Sequence, residues 1–262
     1  MNVGSLFSGI GGFDKGLEDA GYEIAWQVEI DPFCQRVLAK HWPHVTRYGD
    51  ITAMDWATVP RVDLLCGGFP CQDLSFAGKR AGINGARSGL WSEYVRAIVQ
   101  LRPRYVLVEN VPGLLSNPYM GRVLGDLAAC GYDAEWDCLP AASFKLPHIR
   151  DRVWLFAYPA SERWNILDDS APSIFQRECL SNFKQPEYRW KRKAGGHSLE
   201  SVGWMVEPSI PGGNDGLPTE LDKAMIHGLG NAIVPAIAEA LGRMILEAEG
   251  SRSATTVWKA VR

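Results

Sequence analysis

The chain has 262 residues, of which 46% are hydrophobic and 22% charged, and its formal net charge is −3. This composition is typical of a soluble globular protein with one large domain, or one main domain and a small satellite. It excludes a generally basic nucleic-acid coat, so any polyanion contact must be local. The six cysteines include no CxxC pair, which excludes a disulfide scaffold or a zinc ribbon, and we expect no metal. Without a signal-peptide pattern or an apolar run of about 18 residues, we expect a cytoplasmic location.

The first unit of the chain is predicted to be a strand, a glycine-rich turn and a helix. Residues 3–7 are apolar, residues 8–12 form the turn, and the helix is expected over residues 13–20. A mononucleotide-type α/β fold begins in this way. Glycines in such a turn let the backbone approach a ligand closely, and the missing Lys-Ser/Thr pair of a P-loop favours a nucleoside without phosphate. A simple strand-to-helix connector is the alternative.

The second predicted strand, residues 23–28, ends in acidic residues. An acid at this point of such a fold binds ribose hydroxyls, and we assign that role to Glu29, with a solvated strand end as the alternative. Asp31 is better interpreted as the N-cap of the next helix. The short third strand ends in Asp50 and Ile51, which offer one carboxylate and one hydrophobe to a heterocycle, although an ordinary turn gives the same pattern.

A cysteine follows the next buried strand directly. Residues 62–66 are apolar except for Asp63, and the turn after them reads Gly-Gly-Phe-Pro-Cys-Gln-Asp-Leu-Ser over residues 67–75. Parallel α/β sheets place their chemistry at such strand ends, and free amides beginning a helix would favour a Cys71 thiolate. A structural cysteine on a turn is the alternative. The glycine-rich, basic residues 76–89 fit a mobile lid over an anionic substrate.

A second carboxylate, Glu109, follows the predicted strand at residues 105–108. Parallel strand order would bring it near Cys71, and a cysteine beside an acid suggests covalent attack on an electron-poor ring with the acid protonating a ring nitrogen. Two further strands are expected at residues 134–139 and 153–158. Between them, Arg150 and Arg152 alternate in an extended segment, where they would point the same way, to bind an oxygen of the substrate or to form a solvated edge.

The region after the last of these strands has a different composition. Residues 159–226 have weak periodicity, and the basic and aromatic cluster at residues 188–193 fits either a nucleic-acid surface or a solvated loop. Order returns at residues 228–235, and a helix follows that Gly250 is expected to close before a frayed tail. The apolar face of this helix is predicted to consist of Ile237, Leu241, Met244 and Ile245.

Taken together and in order, these motifs resemble the cytosine-5 DNA methyltransferases, in particular compact bacterial or phage enzymes. The resemblance covers residues 3–158 and 207–246. The matching motifs are Phe7-Ser8-Gly9-Ile10-Gly11-Gly12, Glu29, Gly49-Asp50-Ile51, Gly68-Phe69-Pro70-Cys71-Gln72, Glu109-Asn110-Val111, Arg150-Asp151-Arg152 and Gly230-Asn231-Ala232.

The resemblance implies an α/β fold, a Rossmann-like S-adenosylmethionine-dependent methyltransferase domain with a mostly parallel sheet, plus a small target-recognition domain. The expected divisions are a catalytic domain over residues 1–158, target recognition over 159–226, and a segment at 227–262 that returns to the catalytic domain. It also implies the residues that bind the cofactor: Phe7, Gly9, Gly11, Glu29, Ile30, Asp50, Ile51, Asn231 and Ala232.

The chemistry implied is a Cys71 thiolate that adds to C6 of a flipped-out cytosine, while Glu109 protonates N3. Arg152 and Arg150 would hold the base O2 and orient Glu109, and the Phe69 carbonyl would accept from the exocyclic amine. The other residues expected at the substrate are Pro70, Gln72, Ser75, Lys79 and Arg80.

Two positions depart from the family pattern. His148 replaces the usual Gln before the first arginine, and Ile30 replaces a frequent Trp, which gives a weaker platform for adenine. We expect a monomer that acts on double-stranded DNA, with no membrane association and with a cognate restriction endonuclease as a candidate partner. A tRNA cytosine-5 methyltransferase and a catalytically silent DNA-binding regulator are the alternatives.

Overall fold

A computed structural model describes residues 1–70, 89–116, 118–144, 146, 149–162, 175, 190–193, 196–199, 228 and 230–260. The strands are β1 (Asn2–Leu6), β2 (Glu23–Val28), β3 (Thr46–Tyr48), β4 (Leu64–Gly67), β5 (Tyr105–Asn110), β6 (Tyr132–Pro140), β7 (Asp151–Pro159), β8 (Trp190–Lys193) and β9 (Gly196–Leu199). The α-helices are α1 (Gly12–Asp19), α2 (Pro32–His41), α3 (Leu90–Leu101), α4 (Tyr119–Ala129) and α5 (Pro235–Ala260).

Strands β1 to β7 form one mostly parallel sheet in the order β3-β2-β1-β4-β5-β7-β6. Strands β1 to β5 pair in parallel, and β7 runs antiparallel between β5 and β6. The α/β fold class with a mostly parallel sheet is therefore confirmed. Strand β5 continues two residues beyond its predicted end because Glu109 pairs with Trp154 and Asn110 with Val153 of β7.

The helices cover both faces of the sheet and bury a core on each. On one face, α1 and α5 supply Phe13, Leu17 and Leu241 to a cluster with Val3 and Trp154 of the sheet. On the other, α3 and α4 pack residues that include Trp91, Ile98 and Val123 against the strands. Burial of the sheet on both faces explains why β4 has no polar side chain in the sequence.

Helix α5 is longer than the sequence predicts. Its apolar face is confirmed, since Ile237, Leu241, Met244 and Ile245 are all buried. The expected stop at Gly250 and the frayed tail are wrong, because the helical backbone continues through Gly250 to Ala260. A helix-interior glycine costs only about 1 kcal/mol relative to alanine, and a Cβ at Gly250 would meet nothing within 4 Å.

The region expected to recognise the target is described only in part. Strands β8 and β9 pair antiparallel, with Trp190 opposite Leu199 and Lys193 opposite Gly196. Residues 190–193 therefore form a strand, which differs from the solvated loop that was one of the two interpretations of this cluster. In the described part of the chain, no helix is long and apolar enough to cross a membrane.

The contact between α1 and α5 gives a test of the packing. A Cβ at Gly16 would lie 2.2 Å from the Pro235 carbonyl oxygen and 2.7 Å from the Ala238 Cβ, whereas one at Gly125 in α4 would meet nothing within 4 Å. We expect Gly16→Ala to lower the free energy of unfolding by about 1 to 3 kcal/mol through overpacking. Gly125→Ala should leave it unchanged or raise it by up to about 1 kcal/mol. Urea denaturation of both variants measures the difference, and equal effects would contradict this packing.

Candidate functional site

The turn after β1 is held in an uncommon backbone conformation. Phe7, Gly9 and Gly11 have φ values of 51°, 55° and 91°, in the left-handed region that glycine adopts freely and phenylalanine does not. A Cβ at Gly11 would lie 2.4 Å from the Trp42 ring. The half-buried Phe7 ring lies 6.4 Å from that of Tyr94. Packing thus fixes the turn at the carboxyl end of the sheet, where Gly9 is half-buried and a Cβ on it would meet only the Phe7 carbonyl oxygen, 4.0 Å away.

Glu29 connects this turn to the start of α2. Its Oε2 accepts a hydrogen bond of 2.7 Å from the Gly9 amide, and its Oε1 accepts one of 2.7 Å from the Asp31 amide. Each carboxylate oxygen keeps a further lone pair that can accept from a hydroxyl. Asp31 accepts from the amides of Phe33 and Cys34 at 2.8 and 3.0 Å, which confirms it as the helix N-cap.

The end of β3 lies beside Glu29, whose amide donates to the Tyr48 carbonyl at 3.1 Å. Asp50 is exposed, and hydrogen bonds from the amide and hydroxyl of Thr52 hold its pKa below the ordinary value. The Ile30 side chain is 67% exposed, whereas Ile51 is buried. Acceptor carboxylates, an open glycine turn and an exposed apolar side chain fit the ribose, adenine and cationic groups of S-adenosylmethionine.

A buried acid lies beneath the turn and was missed by the sequence analysis. Asp14 is fully buried in the first turn of α1, where it accepts from Ser5 Oγ at 3.0 Å and Gln27 Nε2 at 2.8 Å. Burial raises the pKa of this carboxyl to about 6, against the opposing effect of both hydrogen bonds. The two hydrogen bonds of Asp14 connect α1 to β1 and β2, and so anchor the glycine turn. An acid at a helix start is ordinary, so the sequence offers no signal that this one is buried.

The turn after β4 contacts the end of β5, as parallel order predicts. A Cβ at Gly68 would lie 3.0 Å from Glu109 Oε2, so a side chain at this position would crowd the carboxylate. The Phe69 carbonyl accepts from Asn110 Nδ2 at 3.1 Å, and the half-buried Pro70 follows. The expected site residues Cys71, Gln72, Ser75, Lys79 and Arg80, together with His148, lie outside the described residues.

Glu109 is paired and almost fully buried. The residue is 8% exposed, and Arg152 Nε lies 3.1 Å from its Oε1. Burial raises the pKa of Glu109 to about 7, while the positive charges of Arg152 and Arg150 act in the opposite direction. A carboxyl group with this pKa exchanges a proton readily near neutral pH, which is the property of a general acid.

Arg150 takes a different position from the one expected. Its φ of 34° is left-handed, so the prediction of an extended backbone at this residue is wrong. The reason is that β7 begins only at Asp151. The Arg150 Nη2 donates to the carbonyl oxygens of Gly230 at 3.0 Å and Ala232 at 2.6 Å. Arg152 therefore contacts the acid, while Arg150 contacts the segment that returns from the C-terminal part of the chain.

The returning segment, residues 230–234, lies against both halves of the site. A Cβ at Gly12 would be 2.3 Å from the Ile233 carbonyl oxygen, and one at Gly68 would be 3.3 Å from Ile233 Cδ1. Asn231 is exposed and Ala232 half-buried. The structure thus brings Asn231 and Ala232 beside the glycine turn, next to where the cofactor is expected.

The chain is similar to several known proteins. The chain matches the family described as C-5 cytosine-specific DNA methylase over residues 1–203. It is 35% identical to the type II methyltransferase M2.BsuMI of Bacillus subtilis over 231 residues. This alignment covers 80% of the chain and 55% of the relative. It is 31% identical to the type II methyltransferase M.NgoBV of Neisseria gonorrhoeae over 257 residues, in an alignment that covers 85% of the chain and 59% of the relative. The chain thus spans little more than half the length of these relatives.

A solved structure resembles nearly the whole chain in fold. The methyltransferase EhMeth of Entamoeba histolytica superposes with a TM-score of 0.62 at 16% sequence identity, over 94% of this chain and 98% of that one. At this level of identity, the similarity bears on the fold.

The pairing of Glu109 with Arg152 gives a direct test. Because the Arg152 charge favours the ionised carboxylate, Arg152→Met should raise the pKa of Glu109 further above about 7. The matched control is Arg122→Met, which breaks a surface ion pair with Asp126 in α4 and should leave that pKa unchanged. Carbon-13 NMR titration of the carboxyl groups, with Glu109→Gln to assign the resonance, measures both. An unchanged pKa in Arg152→Met would contradict the pairing.

Proposed function

Because the chain belongs to the C-5 cytosine-specific DNA methylase family, we propose that it transfers a methyl group from S-adenosylmethionine to C5 of cytosine in double-stranded DNA. The observation that supports this most is the buried Glu109, paired with Arg152 beside the turn that follows β4. A cytosine ring needs an acid at N3 and a donor at O2, and these two side chains offer both.

The proposed roles on the cofactor side follow from chemistry. The backbone of Gly9 and Gly11 and the Phe7 side chain would line the cofactor, with Glu29 accepting from the ribose hydroxyls. Asp50 would accept from the adenine amine, with Ile30 and Ile51 beside the ring, and Asn231 and Ala232 would close the pocket. When bound, S-adenosylmethionine supplies an electrophilic methyl group on a sulfonium.

The proposed nucleophile is Cys71. Cytosine C5 is a poor nucleophile, so the Cys71 thiolate first forms a bond with C6, and N3 takes the proton of Glu109. Electron density would move to C5, which would form a bond with the methyl carbon as the bond between that carbon and the sulfonium sulfur breaks, leaving S-adenosylhomocysteine. Loss of the C5 proton to a base, return of the N3 proton to the Glu109 carboxylate and cleavage of the bond between the Cys71 sulfur and C6 would restore the aromatic ring and release the Cys71 thiolate. Because C6 is enclosed in a duplex, the base must leave the helix at a cost of a few kcal/mol.

Protein groups around the base complete the proposed site. Arg152 would donate to O2 while it holds Glu109 in place. The Phe69 carbonyl already accepts from Asn110, and its second lone pair would accept from the exocyclic amine. Pro70, Gln72, Ser75, Lys79 and Arg80 would contact the substrate strand. We assign residues 1–158 to catalysis, 159–226 to target recognition and 227–262 to the returning segment and its helix.

Methyl transfer is tested with cofactor labelled in its methyl group and mixed-sequence duplex DNA. Digestion to nucleosides should give labelled 5-methylcytosine, and Cys71→Ser should abolish turnover while cofactor affinity stays nearly unchanged. Wild-type protein should also form a covalent adduct with DNA that contains 5-fluorocytosine. Label that enters tRNA alone would establish an RNA methyltransferase. Absence of both label and adduct would leave a binding protein.

The pKa of Glu109 predicts a pH dependence for the reaction. The proton donated to N3 is lost as pH rises through about 7, so the single-turnover rate should fall above that pH. Glu109→Gln should lower the rate by about 100-fold or more and remove this decline. Single-turnover kinetics across pH, at saturating DNA and cofactor, measure both. A wild-type decline that persists in Glu109→Gln would assign the acid elsewhere.

A further inference from the structure

We propose that Arg150 is a positioning residue that fixes the returning segment and couples it to Glu109, so that cofactor affinity depends on the charge of Glu109. This inference rests on the proposed function for the identity of the cofactor. It differs from the expected role of Arg150 as a second donor to the base.

The first support is the hydrogen bonding of Arg150. A single terminal nitrogen, Nη2, donates to the carbonyl oxygens of Gly230 and Ala232, which bracket Asn231. A charged donor makes stronger hydrogen bonds than a neutral one. The half-buried Arg150 also adopts a φ of 34°, a conformation that a non-glycine residue keeps only where its surroundings determine it. These observations indicate that Arg150 holds the returning segment in place.

The second support is the position of that segment. Ile233 closes on Gly12 at the start of α1 and on Gly68 after β4, and Gly68 in turn lies against the Glu109 carboxylate. The returning segment therefore fills the space between the glycine turn and the acid. A displacement of the segment would shift both the glycine turn and the turn beside Glu109, because closely packed protein interiors transmit such shifts.

The third support is the charge balance around Arg150. Among the described residues, the charged groups that face Glu109 are Arg152 of β7 and Arg150 before it. Burial and the Arg152 charge lower the pKa of Arg150, and the negative charge of Glu109 opposes that shift. When Glu109 takes up a proton, two neighbouring guanidinium groups lose their shared counter-charge. Their repulsion then weakens the hold of Arg150 on the segment.

The sign of the coupling follows from this balance. Cofactor affinity should be higher when Glu109 is ionised and lower when it is protonated, so it should fall as pH decreases through about 7. By reciprocity, a bound cofactor should lower the pKa of Glu109.

The test is calorimetric titration of the full chain with S-adenosylhomocysteine, which lacks the sulfonium charge, at about pH 6 and about pH 8. We expect wild-type Kd to be about fivefold weaker at the lower pH. Glu109→Gln should keep only the pH dependence that does not come from Glu109, such as that of Asp14, whose pKa is about 6. Arg150→Met should weaken Kd by about tenfold at the higher pH and reduce the pH dependence to the same remainder. Arg150→Lys should recover part of the affinity, because an ammonium can still donate to one carbonyl.

Arg102→Met is the matched control. Arg102 also has a left-handed backbone, with φ of 50°, and its Nη1 donates to the Cys130 carbonyl at 2.6 Å, away from the glycine turn and Glu109. The Arg102→Met variant should bind S-adenosylhomocysteine with the wild-type Kd and the wild-type pH dependence. Wild-type affinity with unchanged pH dependence in Arg150→Met would overturn the inference, as would the same result in the uncharged variant Arg150→Gln if Arg150→Met does not fold. A wild-type chain that does not bind S-adenosylhomocysteine would instead overturn the proposed function, and the inference with it.

Discussion

A carboxyl group kept out of water beside a guanidinium is the interaction on which this site depends. Burial alone would keep Glu109 protonated well above neutral pH, and the Arg152 charge alone would keep it ionised. Their opposition leaves a pKa of about 7. The Gly68 backbone lies close to the carboxylate, and Ile233 packs beside Gly68. The raised pKa of Glu109 therefore depends on the order of the strands, on Gly68 and on the returning segment.

The glycine turn relies on a different interaction, which is the hydrogen bonding of carboxylates to backbone amides and to polar side chains of the protein. Glu29 is held by the amides of Gly9 and Asp31, and the buried Asp14 is held by Ser5 and Gln27. These contacts fix the geometry before any ligand arrives, which reduces the ordering cost of binding. The returning segment spans the two halves of the site, because Ile233 lies beside both Gly12 and Gly68.

The sequence predicted those features that local pattern encodes. Apolar runs that end in Glu29, Cys71 or Glu109 identified strand ends, and parallel order placed Glu109 beside the turn after β4. The direction of β7 has no local signature, because its buried residues read alike in either sense. The contacts of Arg150 are with carbonyls 80 and 82 residues further along, and backbone carbonyls carry no sequence signal. Asp14 was missed for the same reason, since only the fold decides whether an acid at a helix start is buried.

The antiparallel direction of β7 restricts how the chain can vary in evolution. Parallel strands deliver only the residues that follow them to the active edge, whereas β7 delivers its first residues, so Arg150 and Arg152 reach that edge from the opposite direction. Pairing of β7 with β6 over nine residues and with β5 over five fixes its register on both sides. A single inserted or deleted residue within β7 would turn Arg152 to the other face of the sheet. Insertions and deletions in this hairpin are therefore best tolerated in the connection between Pro140 and Asp151. Within that connection, the hydrogen bonds of Arg150 to Gly230 and Ala232 restrict changes next to Asp151.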